Sequence, residues 1–241
     1  LVICDTHVKN MLESADVFDA CKSVVVIDHH RKMVGHIDNA VIFYHEPYAS
    51  SASEMVAELI QYFGDKCRIS RLEAEALLAG IMLDTKNFVI KTGVRTFEAA
   101  AFLRKMGADT VEVKRLFANS MEAYQRKVKL VANARVYRGC AIAISPEADI
   151  PEIQVTAAQA ADELLNISGV SASFVVFAQN GGMSFSARSM GQLNVQLIME
   201  KLGGGGHHTM AGAQLPGIGA EEANQRLTAA IDQYFEENSR K

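Results

Sequence analysis

Three stretches of this 241-residue chain run from apolar residues into a carboxylate. Val24-Val25-Val26-Ile27 precedes Asp28-His29-His30, Leu1-Val2-Ile3-Cys4 precedes Asp5-Thr6-His7, and Gly80-Ile81-Met82-Leu83 precedes Asp84-Thr85. The β-branched run before Asp28 reads as a buried strand. In open α/β sheets, ligands bind in the crevice beyond the carboxyl ends of the strands. Three such runs in one sheet would bring Asp5, Asp28 and Asp84 to one rim. Carboxylate oxygens with imidazole nitrogen, and no thiolate nearby, suit Mn²⁺ or Mg²⁺ better than structural zinc. Each aspartate by itself is equally a loop cap, because Asp is a common turn residue. The three together, with His29 and His30 beside one of them, favour a metal site.

A second constellation lies near the C-terminus, where Gly203, Gly204, Gly205 and Gly206 precede His207-His208. One glycine ends a helix, whereas four cost backbone entropy on folding. Close approach of backbone amides to a phosphate justifies that cost. Arg188 can supply a guanidinium fork to the same anion, and His207 a further donor. A flexible hinge is the alternative, since no P-loop lysine accompanies the run. Facing a metal site, a phosphate clamp is the better account. Ser50 and Ser51, after Glu46-Pro47, either cap a helix with Glu54 reaching back or touch substrate. His30 is read as orienting the ligands through hydrogen bonds. His7, His36, His45 and His208 read as structural histidines, and Met55, Met106 and Met199 as core filler.

The elements that must position these groups follow from periodicity. The first domain is read as residues 1–118: a strand at 1–4, an amphipathic helix over 8–20, the central strand, a short strand at 40–44 and a helix from 55 to 63. A helix over 70–82 then ends at Asp84, and another over 96–106 is closed by Gly107. A linking helix covers 119–135. The second domain, 136–241, has strands at 140–144, 173–178 and 183–188, the last two joined by an Asn180-Gly181 hairpin turn. Its helices span 156–165, 194–202 and 221–236. The fold class is α/β in two domains, with a mixed sheet in the second half.

Composition narrows the function. A hydrophobic content of 49% with 22% charged residues is that of a globular protein with a real core. The formal net charge of −4 argues against a nonspecific nucleic-acid coat, yet leaves room for one phosphorylated ligand. The four cysteines are widely spaced and read as reduced thiols in a cytoplasmic setting. No signal peptide or spanning segment is visible. The chain opens at Leu1, already inside a core strand, and is expected to be part of something longer.

The Asp28-His29-His30 triplet is similar to the one that names the DHH phosphoesterases. The string Gly203-Gly204-Gly205-Gly206-His207, with Ala211-Gly212 after it, resembles the signature of their DHH-associated C-terminal domain. Asp5-Thr6-His7, Glu46-Pro47-Tyr48-Ala49-Ser50-Ser51, Asp84-Thr85-Lys86-Asn87-Phe88 and Lys91-Thr92-Gly93-Val94-Arg95-Thr96 resemble the branch that degrades cyclic di-AMP. The resemblance implies a parallel-sheet domain and a smaller mixed-sheet domain with the active site in the cleft between them. It also implies two manganese ions and hydrolysis of cyclic di-AMP to linear pApA. Asp5 would bridge the metals, His29 and Asp84 would each bind one, and Arg188, residues 203–206 and His207 would hold phosphate, with Ser50 and Ser51 as further contacts. The implied partners are cyclic or short linear dinucleotides, with no long nucleic acid and no membrane contact by this part; a homodimer is left open. Relatives carry membrane helices upstream, so a parent protein would be tethered with this part in the cytoplasm. Alternatives are an oligoribonuclease and pAp phosphatase of the same superfamily, or a nucleotide-binding module without catalysis. Cyclic di-GMP is not separated from cyclic di-AMP.

The family's first motif, a His and an Asp-x-Asp, is not found in this chain. Weak metal binding and little turnover are therefore expected of it. An N-terminally extended version should recover manganese-dependent hydrolysis; full activity of the bare chain would refute this.

Overall fold

The computed structural model describes residues 1–145, 147 and 150–238, so the last residues of the second domain, 239–241, lie outside the described residues. The chain divides into two compact units of nearly equal length, Leu1–Ala118 and Asn119–Lys241.

The first unit contains β1 (Val2–Cys4), α1 (Ala15–Ala20), β2 (Val25–Asp28), β3 (Ile42–His45), α2 (Ala52–Phe63), α3 (Arg71–Asp84), α4 (Val94–Lys105) and α5 (Thr110–Leu116). Its sheet is parallel, in the order β1-β2-β3. Val26 packs with Ile3, Phe18, Val24 and Ile37, whereas its neighbour Ile27 packs with Ala49 and Met55. A central strand buried on both faces has no polar positions to alternate, which accounts for its continuous apolar run. The stretch 8–20 is not one helix. Ser14 accepts a hydrogen bond from the Val17 amide and starts α1 there, after a 3₁₀ turn at Lys9–Met11.

The expectation that residues 80–83 deliver Asp84 from a strand is corrected by α3, which runs through them. A capping box of Ser70 and Glu73 opens the helix. Ala74, Leu78 and Ile81 then recur at helical spacing and bury against Ala57, Ala99, Leu103 and Val113. The four consecutive residues do not share a face of that helix: Ile81 is buried and Leu83 is exposed.

The second unit contains α6 (Met121–Ala132), β4 (Arg135–Tyr137), β5 (Cys140–Ser145), α7 (Ile153–Leu164), β6 (Ala172–Gln179), β7 (Gly182–Ser189), α8 (Val195–Glu200), β8 (Gly205–Gly206), β9 (Met210–Pro216) and α9 (Ala220–Asn238). The sheet order is β4-β5-β6-β7-β9-β8, with only β5 and β6 parallel. Asn180 and Gly181 both have positive φ, 50° and 71°, as a primed hairpin turn requires. One face of the sheet, through Ile142, Phe174, Val176, Phe185 and Ala187, is covered by α8 and α9. On the other, Ala141, Ala143, Val175 and Phe177 meet α7 and Leu130 of α6, which places α6 in this unit. Among the described residues no helix is long and apolar enough to cross a membrane.

The glycine run is held to the sheet rather than left free. A Cβ on Gly204 would stand 2.1 Å from the Gly212 carbonyl oxygen, and one on Gly206 2.5 Å from the Ala211 Cα. Gly203 has a φ of 73°, whereas Gly205 has open space and an ordinary φ. Gly204→Ala is therefore expected to lower stability by about 1–3 kcal/mol through overpacking. Gly205→Ala should stay within about 0.5 kcal/mol of the parent. Urea unfolding with unchanged m-values checks both.

Candidate functional site

In the first unit the register sets Cys4 of β1 opposite Ile27 of β2, so Asp5 and Asp28 leave the parallel sheet side by side. Asp5 turns there with a φ of 67°, a conformation Asp tolerates better than most residues, while its amide still bonds the Ile27 carbonyl at 3.0 Å. Asp28 is fully buried. Its Oδ2 accepts from His7 Nδ1, and its Oδ1 from the His29 amide at 2.8 Å, the His30 amide at 3.2 Å and His30 Nδ1 at 2.8 Å. His7 Nε2 in turn accepts from the Met33 amide at 2.9 Å, so His7 carries its proton on Nδ1. Burial pushes the Asp28 carboxyl up, but the hydrogen bonds from His7 and His30 outweigh it and hold the group below its ordinary value.

His29 is the centre of the cluster. Its Nδ1 lies 3.3 Å from the Ala49 carbonyl oxygen and donates to it, leaving Nε2 to face Asp5 Oδ1 at 3.3 Å and Asp84 Oδ2 at 3.5 Å. Candidate ligand atoms of Asp5, His29 and His30 all lie within 4.8 Å of one another. His30 Nδ1 is 3.8 Å from Asp5 Oδ1 but donates to Asp28 Oδ1, so a cation beside Asp5, His29 and Asp84 would have only the Nε2 of His30 to use. Asp84 sits on the last turn of α3, at the negative end of the helix dipole. Burial pushes its carboxyl above the ordinary value, Asp5 adds to this, and His29 opposes it. Imidazole and carboxylate lone pairs converging at a helix C-terminus are a donor set that fits a hard or borderline divalent cation. Beyond Asp84, Thr85 Oγ1 bonds the Ile81 carbonyl at 2.7 Å and accepts from the Phe88 amide at 2.9 Å. Lys86, Asn87 and Phe88 all carry positive φ, and the stacking of Phe88 on Phe97 anchors this turn.

Ser50 and Ser51, expected near substrate, are each 1% exposed. Ser51 Oγ caps α2 by accepting from the Glu54 amide at 3.0 Å, and Ser50 donates to the Glu54 carboxylate. Capping prevails because both hydroxyls are sealed within the chain. The Ser50–Glu54 pair steadies the turn whose Ala49 carbonyl orients His29. Asp28, read with Asp5 and Asp84 as a rim carboxylate, is instead buried with both oxygens occupied, and with His7 it forms the site's framework. The Asp-His-His triplet and the nearby Asp-Thr-His contained both, but not their pairing.

In the second unit, α7 packs over β6 and against β7, and the sheet face beyond it is uncovered. Over the rest of β7, β9 and residues 203–204 the same face is open and forms a hollow of about 550 Å³. The hollow brings together Arg188, Gly203 and Gly204 with Ser184, Ser186, Gly212, Gln154, Gln179 and Gln214. Gly205, Gly206 and His207 are not among its lining residues. Gly205 and Gly206 form β8, and the exposed His207 pairs its backbone with Met210. Arg188 Nη1 donates to the Ala187 carbonyl, and Nε lies 3.5 Å from Asp162 Oδ1. That Nε is buried with no hydrogen-bond partner among the described residues. Such a donor is what an incoming anion would satisfy. Ser184 and Ser186 share the two-residue period of Arg188 along β7, whereas Gln154, Gln179 and Gln214 come from other elements and are assembled by strand pairing and packing.

Because the folded-state value of Asp28 is lowered, its contribution to stability is present above the unfolded carboxyl value of about 3.9 and is lost as pH falls through the folded one. Asp28→Asn should remove this acid-side dependence and cost about 1–3 kcal/mol at neutral pH by leaving buried donors poorly matched. Urea midpoints of parent and variant across the acid range check both.

The first unit matches the DHH family, N-terminal domain, over residues 1–81, and the second matches the DHHA1 domain over residues 151–237. The chain is 47% identical over 238 residues to the cyclic-di-AMP phosphodiesterase GdpP of Geobacillus thermodenitrificans, spanning 98% of this chain and 36% of that protein. It is 27% identical over 215 residues to the bifunctional oligoribonuclease and PAP phosphatase NrnA of Thermus thermophilus, spanning 86% and 63%. The fold resembles an exopolyphosphatase-related protein of Bacteroides fragilis, with a TM-score of 0.83, 23% identity, and coverage of 97% and 71%. Carrying a DHH N-terminal domain and, after it, a DHHA1 domain, the chain belongs to the DHH family and over almost all its length is similar to cyclic-di-AMP phosphodiesterases.

Proposed function

We propose that this chain carries the hydrolytic part of a manganese-dependent phosphodiesterase that converts cyclic di-AMP to linear pApA. The observation that carries this reading is the convergence of Asp5 and Asp84 on the Nε2 of His29, whose other nitrogen is held by Ala49. Asp5, His29 and Asp84 would hold the metal, with Asp5 shared between two ions and His30 beside them. A bound divalent ion supplies an activated water and polarises the phosphoryl group. The chain's own residues fix where that happens. Asp28 locks the His29 and His30 backbone, and Ala49 turns the His29 ring. Arg188 and the amides near Gly203 and Gly204 would bind phosphate, and hydrolysis breaks the bond to a 3′ oxygen, leaving a 5′ phosphate. The similarity to the GdpP-type enzymes supports cyclic di-AMP as substrate.

A second reading, cleavage of short RNA and pAp, draws support from the similarity to NrnA. Product analysis separates the two. Cyclic di-AMP and a short oligoribonucleotide are incubated with Mn²⁺ and the N-terminally extended chain, alongside Asp84→Ala in the same context. Linear dinucleotide is expected from the first. The variant should fall below about a hundredth of that rate, beyond the 10–100-fold typical of residues that only support a ligand. RNA cleavage without action on cyclic di-AMP would establish the second reading, and silence on both substrates would leave nucleotide binding without catalysis.

A further inference from the structure

The open hollow of the second unit has two chemically different ends. Ser184, Ser186 and Arg188 alternate onto the same face of β7, and four residues of strand separate Arg188 from Ser184 by about 13 Å. At one end is Arg188, whose buried Nε makes no hydrogen bond among the described residues and lies 3.5 Å from Asp162 Oδ1. Across the middle, Ser186 pairs with Gly212, so nothing larger than a hydroxymethyl group rises there. At the far end Gln154 Nε2 donates to Gln179 Oε1 at 2.9 Å, and Ser184 Oγ donates to the same oxygen at 3.3 Å.

That network leaves the Gln179 amide nitrogen and the Gln154 amide oxygen, on two residues that line the hollow, without a hydrogen bond among the described residues. Turning both amides over exchanges the roles and still leaves one donor beside one acceptor. Adenine complements this pairing on both of its edges, with N6–H₂ next to N1 or next to N7. Guanine does so only on its Watson–Crick edge, because its other edge carries two acceptors, O6 and N7. We propose that the Gln154–Gln179 pair reads the adenine of a nucleotide whose phosphate lies at Arg188, making these two glutamines the base-specificity determinants of the hollow. The inference rests on the reading above that a nucleotide docks in this hollow. Gln154 and Gln179 lie on α7 and β6, outside every motif that carried the family resemblance.

The test is calorimetric titration of the chain with adenosine 5′-monophosphate and guanosine 5′-monophosphate. The adenine nucleotide is expected to bind about fivefold or more tightly, the low end of what a bidentate amide–adenine contact gives. Gln154→Leu, at an exposed position that does not endanger folding, should shrink that ratio, and Gln154→Leu with Gln179→Leu should erase it. Arg188→Ala should weaken both nucleotides and keep the ratio. Equal affinities in the parent, no binding of either nucleotide, or a preference that survives the double substitution would each overturn the proposal. A chain that prefers the adenine nucleotide but does not hydrolyse cyclic di-AMP would overturn the activity and leave base recognition standing.

Discussion

Asp28 places a charge at the end of β2 with no access to water, and the first unit is arranged to satisfy it. A buried carboxylate is costly unless its lone pairs are occupied, and here His7, the amides of His29 and His30, and the His30 ring occupy them. Each bond also has a positional consequence. His7 ties the Asp5-Thr6-His7 turn to the Asp-His-His turn, and through its second nitrogen it ties the Met33 segment as well. The cation-facing atoms of Asp5, His29 and His30 are held by a group that does not itself face outward. Asp84 arrives from α3, whose core packing and capping box set the height at which its last turn meets His29.

The second unit solves a different problem. A six-stranded sheet must cover two faces; α8 and α9 pack on one, whereas α6 and α7 pack on the other over β5, β6 and part of β7 and leave the side toward β9 open. The uncovered part adds serines, glutamines, glycines and one arginine to its apolar residues. Here the glycine run acts through packing before chemistry. Gly204 and Gly206 let the backbone close against β9, and the hollow exists because that closure leaves residues 203 and 204 at its rim.

Much of this was readable from residue order. The β-branched run before Asp28 has no alternation, which is what a strand buried on both faces looks like, and it is the central strand of a parallel sheet. Asn180-Gly181 marked a hairpin and is one, because few other dipeptides accept two positive φ values in succession. The apolar run before Asp84 resembles a strand only when taken by itself; read on from the Ser70 cap it is the end of a helix, with Ile81 buried and Leu83 exposed. β4 and β9 gave little warning: β4 is a short, exposed edge strand, and β9 is built of small residues without a β-branched run.

For the candidate site, residue types and local order determined which groups have metal and phosphate chemistry: Asp5, His29, His30 and Asp84 in one unit, Arg188 and the glycines in the other. Tertiary structure decided which of their atoms are free to use it. It occupied Asp28 and His7 with each other, sealed Ser50 and Ser51 against Glu54 at the start of α2, and turned the His29 ring by a bond to Ala49. It also paired Gln154 with Gln179, residues 25 positions apart. Ligand chemistry is a property of the side chain and can be read one residue at a time. Burial and hydrogen-bond partnership are properties of pairs brought together by register and packing, and they exist only once the chain has folded.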